Sequence, residues 1–68
     1  MEKFVVRFID RETKQLYDEE FFEEFGLYGA RMRFLMRYEL HCKRIKFIIE
    51  LRKYYGNGKQ GRILAELS

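Results

Sequence analysis

A small α+β domain is what this sequence predicts, and three observations predict it. The chain opens on Phe4-Val5-Val6-Arg7-Phe8-Ile9, a β-branched and aromatic run that suits a pleated surface. An acidic run follows that begins at Asp18, a good helix-capping residue. From Ala30 to Tyr55 neither glycine nor proline interrupts a helical pattern. With 68 residues the chain makes one domain, residues 1–68, and a domain this size buries only about 60% of the surface of its unfolded chain.

Each element has its local reason. Asp10-Arg11-Glu12-Thr13-Lys14 reads as a polar connection, after which Gln15-Leu16-Tyr17 returns as the second strand of an N-terminal β-hairpin. Asp18 then caps a short acidic helix, with Glu19 and Glu20 in its first turn complementing the helix dipole and Gly26 as its stop. The long amphipathic basic helix of 26 residues would extend about 39 Å, beyond the roughly 28 Å expected for the whole domain. It must therefore break near His41–Lys43 or pack its free length on something else. Gly56-Asn57-Gly58 ends it, which leaves room for a short C-terminal strand or docking tail at Arg62–Leu67.

On a wheel of 100° per residue, Met36, Leu40, Phe47, Leu51 and Tyr54 share one stripe of that helix. Phe34, Tyr38, Ile45 and Ile49 fall nearly opposite, and Arg33, Arg37 and Arg44 lie between. A surface helix needs one apolar face. Two such faces imply burial between the sheet and a second body: the acidic helix, a twin subunit or a partner.

Composition bounds the function. Hydrophobic residues make up 47% and charged residues 37%, neither a disordered nor a membrane-embedded balance. The longest apolar runs are three residues, too short for a membrane span or secretory signal. The single Cys42 excludes an intramolecular disulfide and, with one histidine, a structural zinc site, so a reducing, cytoplasmic setting is expected and no metal or cofactor. His41 and Cys42 are neighbours that a helix points about 100° apart, hence no ready nucleophile–base pair. Gly56-Asn57-Gly58-Lys59-Gln60-Gly61 spells GxGxxG, but it follows a helix near the end of the chain, the wrong context for a dinucleotide site. The reading is non-enzymatic.

Charge is unevenly spread beneath a net +3: residues 1–30 carry four Lys/Arg against eight Asp/Glu, and residues 31–68 carry ten against three. Such asymmetry fits self-pairing or two partner surfaces of opposite preference. Arg33, Arg37 and Arg44, with Lys59 and Arg62, could neutralise phosphates in a homodimeric nucleic-acid-binding protein. The same stripe could equally pair with Glu19, Glu20, Glu23 and Glu24. Scarce Asn, Gln, Ser and Thr beside abundant Glu, Lys and Arg is a composition of hyperthermophile type, against which the absence of proline speaks.

Gln15-Leu16-Tyr17-Asp18-Glu19-Glu20-Phe21-Phe22 resembles the PIP box through which proteins bind the replication sliding clamp, PCNA. Gln15, Phe21 and Phe22 match its spacing, while Asp18 stands where the pattern has an aliphatic residue. The resemblance implies a small regulatory inhibitor of DNA replication that blocks the clamp's assembly or partners. In that case Phe21 and Phe22 anchor, Gln15 hydrogen-bonds at the pocket rim beside Leu16 and Tyr17, and Arg33, Arg37 and Arg44 meet acidic groups on the partner. The competing reading makes Phe21, Phe22 and Phe25 core residues.

Overall fold

A computed structural model describes all 68 residues. Strands β1 (Glu2–Asp10) and β2 (Leu16–Glu24) form one hairpin, helix α1 (Leu27–Tyr38) follows, and β3 (Phe47–Gly56) and β4 (Lys59–Leu67) form a second hairpin. All pairings are antiparallel and the strand order is β2-β1-β3-β4. The two N-terminal strands of the hairpins thus meet in the middle of the sheet.

This corrects the helix-rich expectation. Asp18–Phe25 is not a helix: β2 runs through it, with Phe22 opposite Phe4 and Phe21 opposite Val5. The long helix stops at Tyr38, and its second half is the central strand β3. The C-terminal strand is a full nine-residue edge rather than a short addition. Tertiary pairing explains both changes. β3 has strand neighbours on both sides, so its β-branched and aromatic residues gain more from two ladders than from an unsupported helix. Where the helical run ends, His41 takes an extended backbone and its Nδ1 accepts the Lys43 N–H at 3.1 Å, starting the single 3-10 turn Cys42–Ile45. Arg11 pins that connection by donating twice to the Arg44 carbonyl, at 3.1 and 2.9 Å.

The turn of the second hairpin settles the glycine-rich segment. Asn57 and Gly58 both take positive φ, 52° and 77°, the geometry of a type I′ turn, whose twist matches antiparallel strands. In the first hairpin, Asp10 accepts the Glu12 and Thr13 N–H groups at 2.8 and 3.1 Å.

The core lies between the sheet and α1. Phe4, Val6 and Phe8 of β1 and Phe47, Ile49 and Leu51 of β3 meet Ala30, Phe34 and Tyr38, which share one side of the helix at four-residue spacing. Phe8 meets Tyr38 edge-on at 5.6 Å, and Phe4 stacks on Phe22 at 5.7 Å. The wheel had grouped Phe47 and Leu51 with Met36; as strand residues they face the helix instead, whereas Met36 points away from them, 81% exposed.

No second layer covers the other sheet face, yet Val5 there is fully buried. Its register partners are Phe21 and Arg52, and Phe21 meets Tyr54 edge-on at 4.9 Å. Arg7 pairs with Glu19 at 3.2 Å and Glu50 at 3.8 Å, and Arg52 with Glu50 at 3.0 Å. Gln60 of β4 donates to Glu19 of β2 at 2.8 Å. Those strands are three spacings apart, about 14 Å in a flat sheet, so the sheet curls toward this face.

The two sides of α1 differ in what they hold. Phe34→Ala should lower stability by about 3–5 kcal/mol in denaturant unfolding, through lost burial and a cavity. Met36→Ala should change it by less than about 0.5 kcal/mol, since its side chain packs against nothing buried.

Candidate functional site

The residues singled out by sequence do not form one site. Gln15 stands exposed at the hairpin connection, and Leu16 and Tyr17 begin β2, where a bulge against β1 lets the Tyr17 ring reach Phe47 at 4.7 Å. Phe21 and Phe22, as consecutive strand residues, point to opposite faces. Phe21 meets Tyr54 on the uncovered face, while Phe22 packs on Phe4 under the helix. The spacing that resembles a PIP box is real, but in the folded strand its two aromatic rings pack on opposite faces of the sheet.

The basic residues are also dispersed. Arg33 and Arg37 lie on the side of α1 above β2, Arg44 sits in the 3-10 turn, and Lys59 and Arg62 belong to β4 at the far edge of the sheet. Arg33 is 3.7 Å from Glu24, donates to the Glu23 carbonyl at 3.1 Å and covers the Phe22 ring at 4.9 Å. Arg37 donates through Nε to the Tyr38 hydroxyl at 3.1 Å, and that hydroxyl donates to Glu20. The expected pairing of arginines with the acidic run therefore exists for Arg33, whereas Arg44 turns to the Glu39 carbonyl.

These contacts have a consequence for β2. Its outer edge is guarded: Asp18 accepts the Glu19 N–H at 2.8 Å, and Arg33 takes the Glu23 carbonyl. Acidic side chains along the strand oppose pairing with another edge of the same kind. Between this edge and α1 lies a cleft of about 240 Å³ with Val6, Phe22 and Phe34 on its floor and Glu20, Arg33, Arg37 and Tyr38 at its rim. Arg37, Tyr38 and Glu20 bond in series and Arg33 turns to Glu23 and Glu24, and the volume falls below the usual range of small-molecule sites. No three His, Cys, Asp or Glu side chains gather as a metal site would require. His41 Nδ1 lies 3.9 Å from the Cys42 sulfur but is already the acceptor for Lys43.

What sequence reasoning missed is the outer side of α1. Tyr28, Met32 and Met36 recur every four residues opposite Ala30, Phe34 and Tyr38, with Tyr28 79% and Met36 81% exposed. Leu40 prolongs the stripe just past the helix at 97% exposure, and Phe25 precedes it, also exposed. Arg33 and Arg37 border the stripe on one side and Arg31 on the other. The signal was present in Tyr28-x3-Met32-x3-Met36, but an unbroken 26-residue helix drew attention to residues that turned out to be strand. Contiguous exposed apolar side chains on a small domain mark a contact surface, and methionine adapts to varied partners.

No protein-family model, curated protein or solved structure matches the chain. No helix is long and apolar enough to cross a membrane.

The Tyr38–Glu20 bond gives a pH dependence. Burial, and then the hydrogen bond to Glu20, push the Tyr38 hydroxyl up to about 12 from 10.0. The fold thus favours the neutral phenol: its contribution is complete below pH 10 and is lost as pH rises through about 12. In an alkaline titration followed by phenolate absorbance, Tyr38→Phe should remove the component near pH 12. It should also flatten the loss of stability over that interval.

Proposed function

We propose that this protein is a non-enzymatic regulator that works by binding another protein through the outer side of α1. The observation that carries the reading is the Tyr28–Met32–Met36 stripe, which continues into Leu40 and lies opposite the side of the helix that holds the fold. Burying exposed apolar area of this kind is worth about 25 cal/mol per Å², and Tyr28, Met36 and Leu40, unlike the partly covered Met32, stay mostly in water within the chain. The rigid sheet beneath keeps the helix in its bound shape before any partner arrives, which lowers the ordering cost of association.

Nucleic-acid binding finds less support. Arg33, Arg37, Arg44, Lys59 and Arg62 are spread over the helix, its connection and the far sheet edge, and Glu20, Glu23 and Glu24 lie beside the first two. The sliding clamp remains a partner to test by name. It would meet Gln15, Leu16, Tyr17 and Phe21, with Phe22 retained in the core.

The test is affinity capture from lysate of the source organism, with nuclease present and washes at low and high salt, using the wild type and Tyr28→Asp/Met36→Asp. Both positions are exposed, so the variant should keep its melting temperature within a few degrees. A protein held by the wild type through both washes and lost from the variant is the expected result. Capture indifferent to the variant would overturn the α1 reading. If the captured protein were the clamp and were lost on Phe21→Ala alone, the site would move to β2. Recovery of nucleic acid only, released by high salt, would favour the basic residues instead.

A further inference from the structure

We infer that the occupant of the outer side of α1 is an amphipathic helix whose apolar stripe is bordered by carboxylates. This deepens the function proposed above and rests on it. From Leu27 to Tyr38 the helix carries Arg31, Arg33 and Arg37 and no acidic residue. The apolar stripe therefore has guanidinium groups on both borders. One carboxylate, Glu39, stands exposed at the C-cap beside Leu40; those below, on β2, are engaged: Glu24 is 3.7 Å from Arg33, and Glu20 accepts the Tyr38 hydroxyl.

That arrangement discriminates between occupants. A second copy of α1 laid antiparallel across a two-fold axis would set Arg33 and Arg37 beside their own counterparts. A parallel two-fold pairing would set them beside Arg31. Either way the apolar seam is edged by like charges, which opposes self-association. An extended strand would add to an edge of the sheet, β2 or β4, and would leave the outer side of α1 uncovered. A polyanion would answer the arginines but leave Tyr28, Met32, Met36 and Leu40 in water. A helix with Glu or Asp flanking a Leu- or Met-type stripe answers both features at once, through anchors at the same four-residue spacing. Gly29, with no side chain of its own, lets the Glu24 side chain lie against the helix, its Cγ 3.0 Å from where a Cβ would stand.

The experiment uses the full chain and two fluorescent synthetic helices of about 18 residues, long enough to hold helical structure. They share one leucine stripe, flanked by Glu in the first and by Lys in the second. Anisotropy titrations at low salt should show the Glu-flanked peptide binding at least about tenfold more tightly. The advantage should shrink as salt screens the charges, and Tyr28→Asp/Met36→Asp should abolish binding of either peptide. Arg31→Glu/Arg37→Glu should reverse the preference. Arg31→Glu alone, at an exposed position, should weaken it without disturbing the contacts of Arg37.

Equal binding of the two peptides would overturn the inference. So would sedimentation of the chain alone as a dimer that Met36→Asp dissociates, or binding confined to phosphatidylglycerol vesicles. The outcomes also separate the two proposals. Lysate capture that depends on Tyr28 and Met36, combined with no preference for the Glu-flanked peptide, defeats only the inference about the partner. Capture and peptide binding both indifferent to those residues defeat the α1 site itself.

Discussion

One twelve-residue helix covers only one face of a four-stranded sheet, and most features of this protein follow from that shortage. The face beneath α1 is conventional, with aromatic and aliphatic side chains from both central strands closing on Ala30, Phe34 and Tyr38. The other face has no layer to lie under. It is closed by long side chains instead: Arg7, Glu19, Glu50, Arg52 and Gln60 bond across the strands, and Phe21 and Tyr54 meet at its other end. Of the 14 basic and 11 acidic side chains, four, Arg7, Glu19, Glu50 and Arg52, are used there. Of the ion pairs only Arg33–Glu24 and Lys53–Glu2 join a cation of residues 31–68 to a carboxylate of residues 1–30, so internal pairing takes up only a small part of the asymmetry.

The same shortage explains which parts of the fold were legible. The first strand was, because Phe4, Val6 and Phe8 alternate with Val5 and Arg7 in a residue set that suits few other structures. Phe34 and Tyr38 were also grouped on one side by helical spacing, although the helix was expected from Ala30 and that side was not distinguished as the inward one. β2 was not. Its two faces both receive acids and aromatics, so the period-two contrast that marks a half-buried strand is missing, and Asp18 followed by glutamates imitates a capped helix. β3 was hidden for the related reason that a central strand uses both faces. Only the Asn57-Gly58 pair between two apolar runs announced the second hairpin, and it was read as the stop and turn after a helix instead of a turn between strands.

For the candidate surface, the sequence carried the residues but not the boundary between helix and strand. Met36 was rightly separated from Phe34 and Tyr38 by the wheel, yet it was grouped with Phe47, Leu51 and Tyr54, which belong to β3. Once the helix ends at Tyr38, the outward group becomes Tyr28, Met32 and Met36. The linear spacing of Gln15, Phe21 and Phe22 misled in the opposite sense. A spacing that would gather side chains in a turn or helix scatters them in a strand, where neighbours diverge.

The strand order has a kinetic meaning as well. Each hairpin joins neighbours in sequence, whereas β1 and β3 are separated by β2 and α1, so their ladder must close a loop of roughly 40 residues. Local hairpins form in microseconds, and pairing across a long loop is the slower step that contact order penalises. Before that ladder zips, α1 has only one half of a sheet to rest on, and its inward and outward residues are not yet distinguished by burial. The Tyr28–Met32–Met36 stripe needs only the helix; what the closed sheet adds is burial of the opposite side, which leaves this stripe as the one still in water.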